Sequence, residues 1–321
     1  MKLSFEQIQA VTVGAVHVEQ QTDGIHFYKC TKKQLDAWHA LSATLGERAL
    51  TTTGIRLDFH TNSKTLRFFP TSGGKFEVYL DGVLRQSFDG NTLRQTGESA
   101  VLALTDALGG AVESIRVTLI LPSHSVGVLG SVELDDGATL TPHQFDRRIL
   151  FIGDSITQGW DARYDSLSYA HRVSRFFNAD SVIHGVGGGY FHETIFDSIP
   201  FDPDTVVIAL GTNDFGHYKT QEEMRYQTAA FLSSVAKEYA GKQIFVISPI
   251  WREAQEKPMG SFREARAIVI QEAERLGLYH IDGLSLVPPL PQFFQDKTLH
   301  PDDLGFGIYA ESLIQQMLKK M

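Results

Sequence analysis

The chain has 321 residues, of which 42% are hydrophobic and 21% are charged, a composition typical of a globular protein with a buried core. Its formal net charge is −9 and no block of lysine or arginine stands out, which argues against nucleic acid or an anionic membrane surface as the main partner. The single cysteine excludes an internal disulfide and a cysteine-based zinc site.

The N-terminal segment lacks the uninterrupted apolar stretch of a signal peptide, and no run of about eighteen apolar residues predicts a membrane span. We therefore expect a cytoplasmic protein that does not enter a membrane. No feature of the sequence predicts an oligomeric state.

The first part of the chain, residues 1–145, has the pattern of an antiparallel β-structure. Short segments alternate between apolar and polar residues and are separated by turn residues such as Asp81-Gly82 and Asp136-Gly137. One stretch of helical period, at 32–43, interrupts them. Evenly spaced short strands of this kind predict an all-β sandwich domain.

From Arg147 onward the pattern changes to isolated apolar runs of four to six residues. These runs alternate with segments of helical period, at 168–177, 221–239, 262–276 and 303–319. Continuous apolar strands between helices predict a parallel sheet that is covered on both faces. With right-handed crossovers this becomes a three-layer α/β/α domain, which we place at residues 146–321.

In a parallel sheet, ligands bind beyond the carboxyl ends of the strands, so the residues found there are candidates for function. The first strand of this half ends in Gly153-Asp154-Ser155. A serine hydroxyl becomes an effective nucleophile only with a base and a stabilised oxyanion. The hydrolase elbow G-x-S-x-G is not satisfied, because Thr157 occupies the second glycine position, so an ordinary Asx turn is an alternative.

The second strand runs into three consecutive glycines, Gly187 to Gly189, which let the backbone approach a ligand with its N–H groups. The dinucleotide-binding spacing G-x-G-x-x-G is not met, because Tyr190 stands at its third glycine. The loop therefore favours an oxyanion donor over a phosphate site. The structural alternative is a tight loop that only clears a neighbouring helix.

Two further strand ends or loops carry polar side chains. Asn213 follows the third apolar strand, where its amide can donate to a developing negative charge or cap a turn. His300 precedes the last helix. An imidazole can take a proton from serine near neutral pH and return it to a leaving group, although a loop histidine without a partner is the alternative.

The order of the GDS, GTND and HP segments resembles the SGNH (GDSL-type) hydrolase family over about residues 148–321. The resemblance implies that Ser155 is the nucleophile and His300 the general base. It also implies an oxyanion hole formed by the backbone N–H groups of Ser155 and Gly189 and the side chain of Asn213. The choice of Gly189 depends on a count from His184, which replaces the family's usual asparagine, and Gly188 is the rival donor.

The supporting acid departs from the family's pattern. The family usually has D-x-x-H, but here Lys297 occupies the acid position and the carboxylate comes one residue earlier, as Asp296. A carboxylate partner fixes the tautomer of the imidazole and stabilises the imidazolium. We expect Asp296 to do this through a bulged loop. The alternative is a Ser–His dyad in which His300 relies on a backbone carbonyl.

A β-domain ahead of an SGNH domain is similar to two-domain esterases and acyltransferases with a jelly-roll-like module, several of which act on acetylated sugars. We therefore expect a serine esterase for small acyl esters, above all acetyl esters, including those of carbohydrates, that acts through an acyl-enzyme. Its partner would be a small-molecule or glycan ester. Aromatic side chains that follow the strand ends could form the pocket: Trp160, Tyr190, Phe215 and Trp251.

Two alternatives stay open. An acyltransferase of the same family would pass the acyl group to an alcohol instead of water. A non-catalytic carbohydrate-binding protein would need no catalytic residues, yet all four segments retain them. We expect neither a cofactor nor a metal, because the twelve histidines include no H-E-x-x-H motif and His184, His192 and His217 lack the spacing of helical ligands.

Overall fold

A computed structural model describes residues 1–105, 110 and 113–320. By its contacts the chain divides into two compact units. The first consists of Met1–Lys29 and Leu50–Phe145, and the second consists of Cys30–Ala49 and the chain from Asp146 onward. No helix among the described residues is both long enough and apolar enough to span a bilayer.

The strands are numbered in chain order. They are β1 (Thr12–Val13), β2 (His17–Gln21), β3 (Gly24–Tyr28), β4 (Arg56–Thr61), β5 (Thr65–Pro70), β6 (Lys75–Leu80), β7 (Val83–Asp89), β8 (Ala100–Ala103), β9 (Ile115–Ile120), β10 (Val128–Glu133), β11 (Thr141–Pro142), β12 (Arg147–Gly153), β13 (Ala179–Gly185), β14 (Thr205–Ala209), β15 (Gln243–Ile247), β16 (Glu256–Lys257), β17 (Gly260–Ser261) and β18 (Tyr279–Ile281).

The α-helices are numbered in the same way. They are α1 (Phe5–Val11), α2 (Lys32–Leu41), α3 (Ala43–Ala49), α4 (Gly90–Thr96), α5 (Ser155–Gln158), α6 (Tyr169–Phe176), α7 (Asp214–His217), α8 (Gln221–Glu238), α9 (Phe262–Arg275) and α10 (Asp303–Leu318). Short 3-10 turns lie at Asp165–Leu167, Gly283–Ser285 and Pro291–Phe293.

The first unit contains two antiparallel sheets. One has the order β1-β4-β9-β6-β7 with β11 paired to β4, and the other has the order β2-β3-β10-β5-β8. In β9 the burial alternates from Ile115 to Leu119 as expected for a strand with one face on a core, since Ile115, Val117 and Leu119 are buried and Arg116 and Thr118 are less so. Buried residues of both sheets form one hydrophobic cluster. The predicted all-β sandwich is therefore confirmed.

The second unit contains a parallel sheet of order β13-β12-β14-β15-β18. Counted along the chain this is the order 2-1-3-4-5 of flavodoxin-like folds. Helices α6 and α10 pack together, as do α8 and α9. On one face, Ile149 and Phe151 of β12 share a core with Tyr169 and Tyr309 of α6 and α10. The predicted three-layer α/β/α domain is confirmed, and α6, α8, α9 and α10 begin and end within one residue of the predicted limits.

The helical segment 30–49 differs from the sequence-based expectation. It lies in sequence within the N-terminal part, but its contacts place it in the second unit. Thr31 begins α2 with a capping box and its hydroxyl donates to Asp197 at 2.8 Å, and Trp38 is buried. The expected boundary at residue 145 placed this segment with the sandwich, because helical period alone does not determine which core an apolar face joins.

Candidate active site

Ser155 lies just beyond the carboxyl end of strand β12, between the neighbouring strands β13 and β14, and is the first residue of the short helix α5. Asp154 caps this helix, since its Oδ1 accepts the N–H of Ile156 at 2.9 Å. A Cβ at Gly153 would come within 1.9 Å of Thr157 Oγ1, so the turn requires glycine there. This arrangement holds the hydroxyl rigidly at the sheet edge where three neighbouring strands end.

His300 lies within hydrogen-bond reach of Ser155, although the two residues are far apart in sequence. The Oγ of Ser155 is 2.9 Å from Nε2 of His300. Asp302 caps the following helix α10 through the N–H of Gly305, and this fixes the loop that carries the imidazole. The structure therefore brings together the two residues that the sequence analysis proposed as nucleophile and base.

Asp296 completes this line of groups. Its Oδ2 is 2.8 Å from Nδ1 of His300, and its Oδ1 accepts three backbone N–H groups of the loop, from Thr298, Leu299 and His300. Lys297 adopts a φ of 63°, which is uncommon for a residue with a side chain and accommodates the extra residue in the loop. The carboxylate thus reaches the imidazole despite the departure from D-x-x-H.

The contacts of Asp296 determine its charge. Burial alone would raise the pKa of its carboxyl group, but the N–H groups of Leu299 and Thr298 and the ring of His300 lower this pKa to about 2. An ionised carboxylate can only accept hydrogen bonds, so the proton between Asp296 and His300 resides on Nδ1. Nε2 then has its lone pair directed at the hydroxyl of Ser155, as a general base requires.

Asp161 is a second carboxylate near the imidazole, and the sequence analysis did not identify it. Its Oδ2 is 3.7 Å from Nδ1 of His300, and its backbone has a φ of 70°. The ligand atoms of Asp161, Asp296 and His300 lie within 4.8 Å of one another, so these three side chains could hold a metal ion. Binding a metal at Nδ1 would displace the proton that His300 shares with Asp296.

The glycine loop after β13 is fixed by hydrogen bonds on several of its peptide groups. The N–H of Gly189 donates to the carbonyl of Val186 at 2.8 Å and closes a turn in which Gly188 has a φ of 81°. Asn213 Nδ2 donates to the carbonyl of Gly189 at 2.9 Å. The N–H of Gly189, which the family resemblance implied as an oxyanion donor, is therefore already used inside the loop.

Gln158 also fixes this loop, and the sequence analysis did not identify it either. Its buried Oε1 accepts the N–H of Gly187 at 2.7 Å and the indole N–H of Trp160 at 3.1 Å. A Cβ at Gly185 would come within 2.6 Å of the backbone N of Gln158, so α5 and the end of β13 approach each other closely. The nucleophile turn and the glycine loop therefore form one rigid unit.

Two buried acids lie beneath the site. Burial raises the pKa of Asp154 to about 6 and that of Asp214 to about 8. Asp214 Oδ1 accepts the N–H of Phe191 at 3.0 Å and thereby connects the β14 end to the glycine loop. Among the described residues, Asp214 Oδ2 is buried without a hydrogen-bond partner, which favours the neutral carboxylic acid at pH 7.

The four aromatic residues proposed for the pocket have different environments. Trp160 is half-buried and its ring centroid lies 6.1 Å from that of His300. Tyr190 is buried, and His217 stacks on its ring at 3.8 Å. Trp251 packs against Phe294, with 4.9 Å between the ring centroids. Of these, Trp160 is the side chain that stands beside the reacting groups.

The proposal for Phe215 was wrong. Its side chain is fully buried and packs against Phe262, with 5.3 Å between the ring centroids, beneath the guanidinium of Arg252. Phe215 lies one residue inside helix α7, and the turn of this helix directs the ring into the core. The ring of Phe215 therefore has no surface that a substrate could contact in this structure.

Comparisons with known proteins agree with this geometry. Residues 151–308 match the model of the GDSL-like lipase/acylhydrolase family. Comparison with curated protein sequences gave no match.

Several solved structures share the fold at low identity. The salicylyl-acyltransferase SsfX3 from a tetracycline biosynthetic pathway has a TM-score of 0.80 and 19% identity, covering 96% of this chain and 94% of that one. A family two carbohydrate esterase from Clostridium thermocellum, in complex with cellohexaose, has a TM-score of 0.65 and 17% identity, covering 96% and 98%. The acetyl xylan esterase Est2A from the rumen bacterium Butyrivibrio proteoclasticus has a TM-score of 0.58 and 15% identity, covering 83% and 89%.

The similarity to these structures shows the fold, and the family model covers Ser155, Asn213, Asp296 and His300. The predicted family resemblance is confirmed, and with it the assignment to the ester-bond hydrolases. Residues 151–308 of this chain form a domain of the GDSL-like lipase/acylhydrolase family.

Proposed function

We propose that this protein is a serine esterase that hydrolyses small acyl esters, above all acetyl esters, through an acyl-enzyme. The observation that carries the proposal is the continuous line of groups from Ser155 to Asp296. Oγ lies 2.9 Å from Nε2, and Nδ1 lies 2.8 Å from a carboxylate that is ionised at neutral pH. A nucleophile, a base and an orienting acid at these distances are the groups that acyl transfer requires.

The first half of the reaction forms the acyl-enzyme. Ser155 Oγ attacks the ester carbonyl carbon while Nε2 of His300 takes the hydroxyl proton, and Asp296 stabilises the resulting imidazolium. Three donors stabilise the negative charge on the carbonyl oxygen: the backbone N–H of Ser155, the side-chain amide of Asn213 and a backbone N–H of the glycine loop. The alcohol then leaves with the proton of His300, and the acyl group stays on Oγ.

The second half repeats these steps with water. His300 takes a proton from a water molecule, the hydroxide attacks the acyl carbonyl, and Ser155 leaves with the proton. The Asn213 amide has two N–H bonds, and the carbonyl of Gly189 accepts one of them. The second N–H can therefore serve the oxyanion without loss of the contact that fixes the loop.

Carbohydrate esters are the proposed substrates. Support comes from the shared fold of carbohydrate esterases, one of them in complex with cellohexaose, and from an acetyl xylan esterase. Within this chain, the half-buried indole of Trp160 beside His300 could cover the apolar face of a sugar ring. A chain-length series of esters, compared with acetylated oligosaccharides, tests both the acyl and the alcohol specificity.

The test of the nucleophile uses a chromogenic acetate ester with wild type, Ser155→Ala and a half-buried control, Ser234→Ala, from helix α8. We expect hydrolysis by wild type and the control and a loss of at least about 10⁴-fold in Ser155→Ala, because removal of a triad member leaves only the contributions of the oxyanion donors and of binding. Circular dichroism spectra of both variants should match that of wild type, which shows that a loss of activity is not a loss of folding. Activity that survives in Ser155→Ala contradicts the nucleophile assignment.

Acyl transfer is a second candidate, supported by the similarity to the salicylyl-acyltransferase over 96% of this chain. The same acyl-enzyme serves both reactions, and only the acceptor differs. An added acceptor alcohol separates them, since a transferase yields a new ester in preference to free acid. A carbohydrate-binding protein without activity would bind an acetylated oligosaccharide and turn over no ester.

A further inference from the structure

The segment Cys30–Ala49 supplies part of the active-site wall, although the family model begins only at residue 151. A Cβ at Gly189 would lie 3.1 Å from the Cη2 atom of Trp38 in α2, so this indole packs against the glycine loop. From α3, the half-buried Arg48 donates through Nη1 to the carbonyl of Gly187 at 2.8 Å. Two helices from the N-terminal part of the sequence therefore contact the loop.

The contact with Arg48 matters because of the turn that it holds. The Val186 carbonyl and the Gly189 N–H close the turn, Gly188 has a φ of 81°, and Gly187 is not in the left-handed region. A positive φ at the third residue alone is characteristic of a type II turn. Because Gly188 also tolerates negative φ, the Gly187–Gly188 peptide could turn over into a type I turn without loss of the closing hydrogen bond.

The orientation of this peptide determines where its N–H points. In a trans peptide the carbonyl and the following N–H point in opposite directions. Arg48 binds the carbonyl of Gly187, so it directs the N–H of Gly188 away from the guanidinium. Gln158 holds the N–H of Gly187 at 2.7 Å on the preceding peptide. Gln158 thus holds the peptide before Gly187, and Arg48 binds the Gly187–Gly188 peptide, whose orientation differs between the two turn geometries.

Arg48 is also connected to the imidazole through one aromatic ring. Its guanidinium carbon lies 5.0 Å from the ring centroid of Trp160, a cation–π distance, and the same indole lies 6.1 Å from the ring of His300. The indole N–H of Trp160 donates to Gln158. Arg48 thus contacts both the glycine loop and the ring that covers the base.

We propose that Arg48 is a positioning residue. It holds the Gly187–Gly188 peptide in one orientation, so that the N–H of Gly188 is oriented before the reaction to donate to the oxyanion. The proposal depends on the proposed function, since it concerns the oxyanion of that reaction. A preset donor contributes most where charge develops, in the transition state. Loss of Arg48 should therefore lower kcat more than it changes KM.

The kinetic test compares wild type with Arg48→Met, Arg48→Lys and a matched control, Arg263→Met, which removes an exposed arginine from helix α9. We expect kcat of Arg48→Met to fall about 10- to 100-fold with KM within about threefold. Arg48→Lys should keep part of the activity, because an ammonium can donate to the same carbonyl. Arg263→Met should behave as wild type.

Two further measurements distinguish positioning from a general loss of structure. In a further variant, Arg48→Ala, which leaves space for the added group, guanidinium at non-denaturing concentration should restore kcat in a saturable manner, and it should have no effect on Arg263→Met. The affinity for a boronic acid, which forms a tetrahedral adduct with serine, should fall in parallel with kcat. An unchanged kcat in Arg48→Met, or equal losses in kcat and substrate affinity without rescue by guanidinium, would overturn the proposal.

A spectroscopic test does not depend on esterase activity. In protein labelled with ¹⁵N-glycine, the amide resonances of Gly187, Gly188 and Gly189 should shift or broaden in Arg48→Met and stay unchanged in Arg263→Met. Unchanged loop resonances in Arg48→Met contradict the positioning role. If wild type hydrolyses no ester but the resonances respond as expected, the proposed function fails while the structural role of Arg48 holds.

Discussion

At the scale of single residues, His300 faces two carboxylates rather than one. Asp296 lies 2.8 Å from Nδ1 and accepts three backbone N–H groups, whereas Asp161 lies 3.7 Å away on a different loop. An opposite charge within this range favours the protonated imidazole. Asp296 sets the tautomer through its direct hydrogen bond, and Asp161 adds to the electrostatic stabilisation of the imidazolium.

This difference predicts unequal effects of removing the two charges. Asp296→Asn should lower kcat by between about 10² and 10⁴, because an amide can donate to Nδ1 and so favour the wrong tautomer. Asp161→Asn should lower kcat by less than about tenfold, because it leaves the tautomer unchanged. Steady-state kinetics with an acetate ester provides both values.

The two variants together separate the direct hydrogen bond of Asp296 to the imidazole from the longer-range contribution of Asp161. The assignment of roles is wrong if Asp161→Asn loses as much activity as Asp296→Asn. It is also wrong if neither substitution changes kcat, the result expected for a dyad that relies on a backbone carbonyl.

At the scale of secondary-structure elements, the site depends on how closely α5 approaches the end of β13. Gly185 is the last residue of β13, and a Cβ there would lie 2.6 Å from the backbone N and 2.7 Å from the Cα of Gln158. Backbone atoms of a buried helix cannot move aside as a flexible side chain can. Glycine at this position is therefore required by packing.

Gly185→Ala should lower the free energy of unfolding by about 1–3 kcal/mol, because an added methyl group in a packed interior forces backbone shifts. Gly216→Ala is the matched control, since no atom lies within 4 Å of its added Cβ and alanine is the better helix former. Urea denaturation measures both values. Equal stability of Gly185→Ala and Gly216→Ala would show that α5 can shift at little cost.

At the scale of the whole molecule, the buried acids connect stability to pH. The pKa values of Asp154 and Asp214 are raised from 3.8 in the unfolded chain to about 6 and about 8. Between pH 3.8 and its raised pKa, each of these carboxyl groups keeps a proton in the folded protein that it releases in the unfolded chain. The contribution of both groups to stability therefore falls as pH rises through this range. The pKa of Asp296 is lowered to about 2, so its contribution is lost only as pH falls towards that value.

The prediction concerns the slope of the melting temperature with pH. Wild type should lose stability from pH 5 to pH 8, and Asp214→Asn should lose less over this range, because the amide accepts the N–H of Phe191 without ionising. The control Glu222→Gln removes an exposed carboxylate from helix α8. Thermal unfolding at several pH values measures the slopes, and a wild-type slope in Asp214→Asn contradicts the raised pKa.

The sequence by itself determined the fold class and the four segments of the site. The period of the apolar residues and local caps, such as Ser261 with Glu264 at α9, suffice to position the helices within a residue. Ser155, Asn213 and His300 could be identified because each follows a strand or precedes a helix in a recognisable segment. These signals lie within a few residues of one another along the chain, so a single sequence is enough to recognise them.

Tertiary structure alone decided which distant residues meet at the site. Nothing near Arg48 in the sequence indicates that α3 joins the second unit and contacts Gly187, and nothing near Asp161 indicates a carboxylate beside His300. Phe215 was misplaced for the same reason, since its position after a strand does not fix the direction of its ring. Contacts between distant segments depend on how apolar faces pack together, and local period and turn chemistry carry no information about that packing.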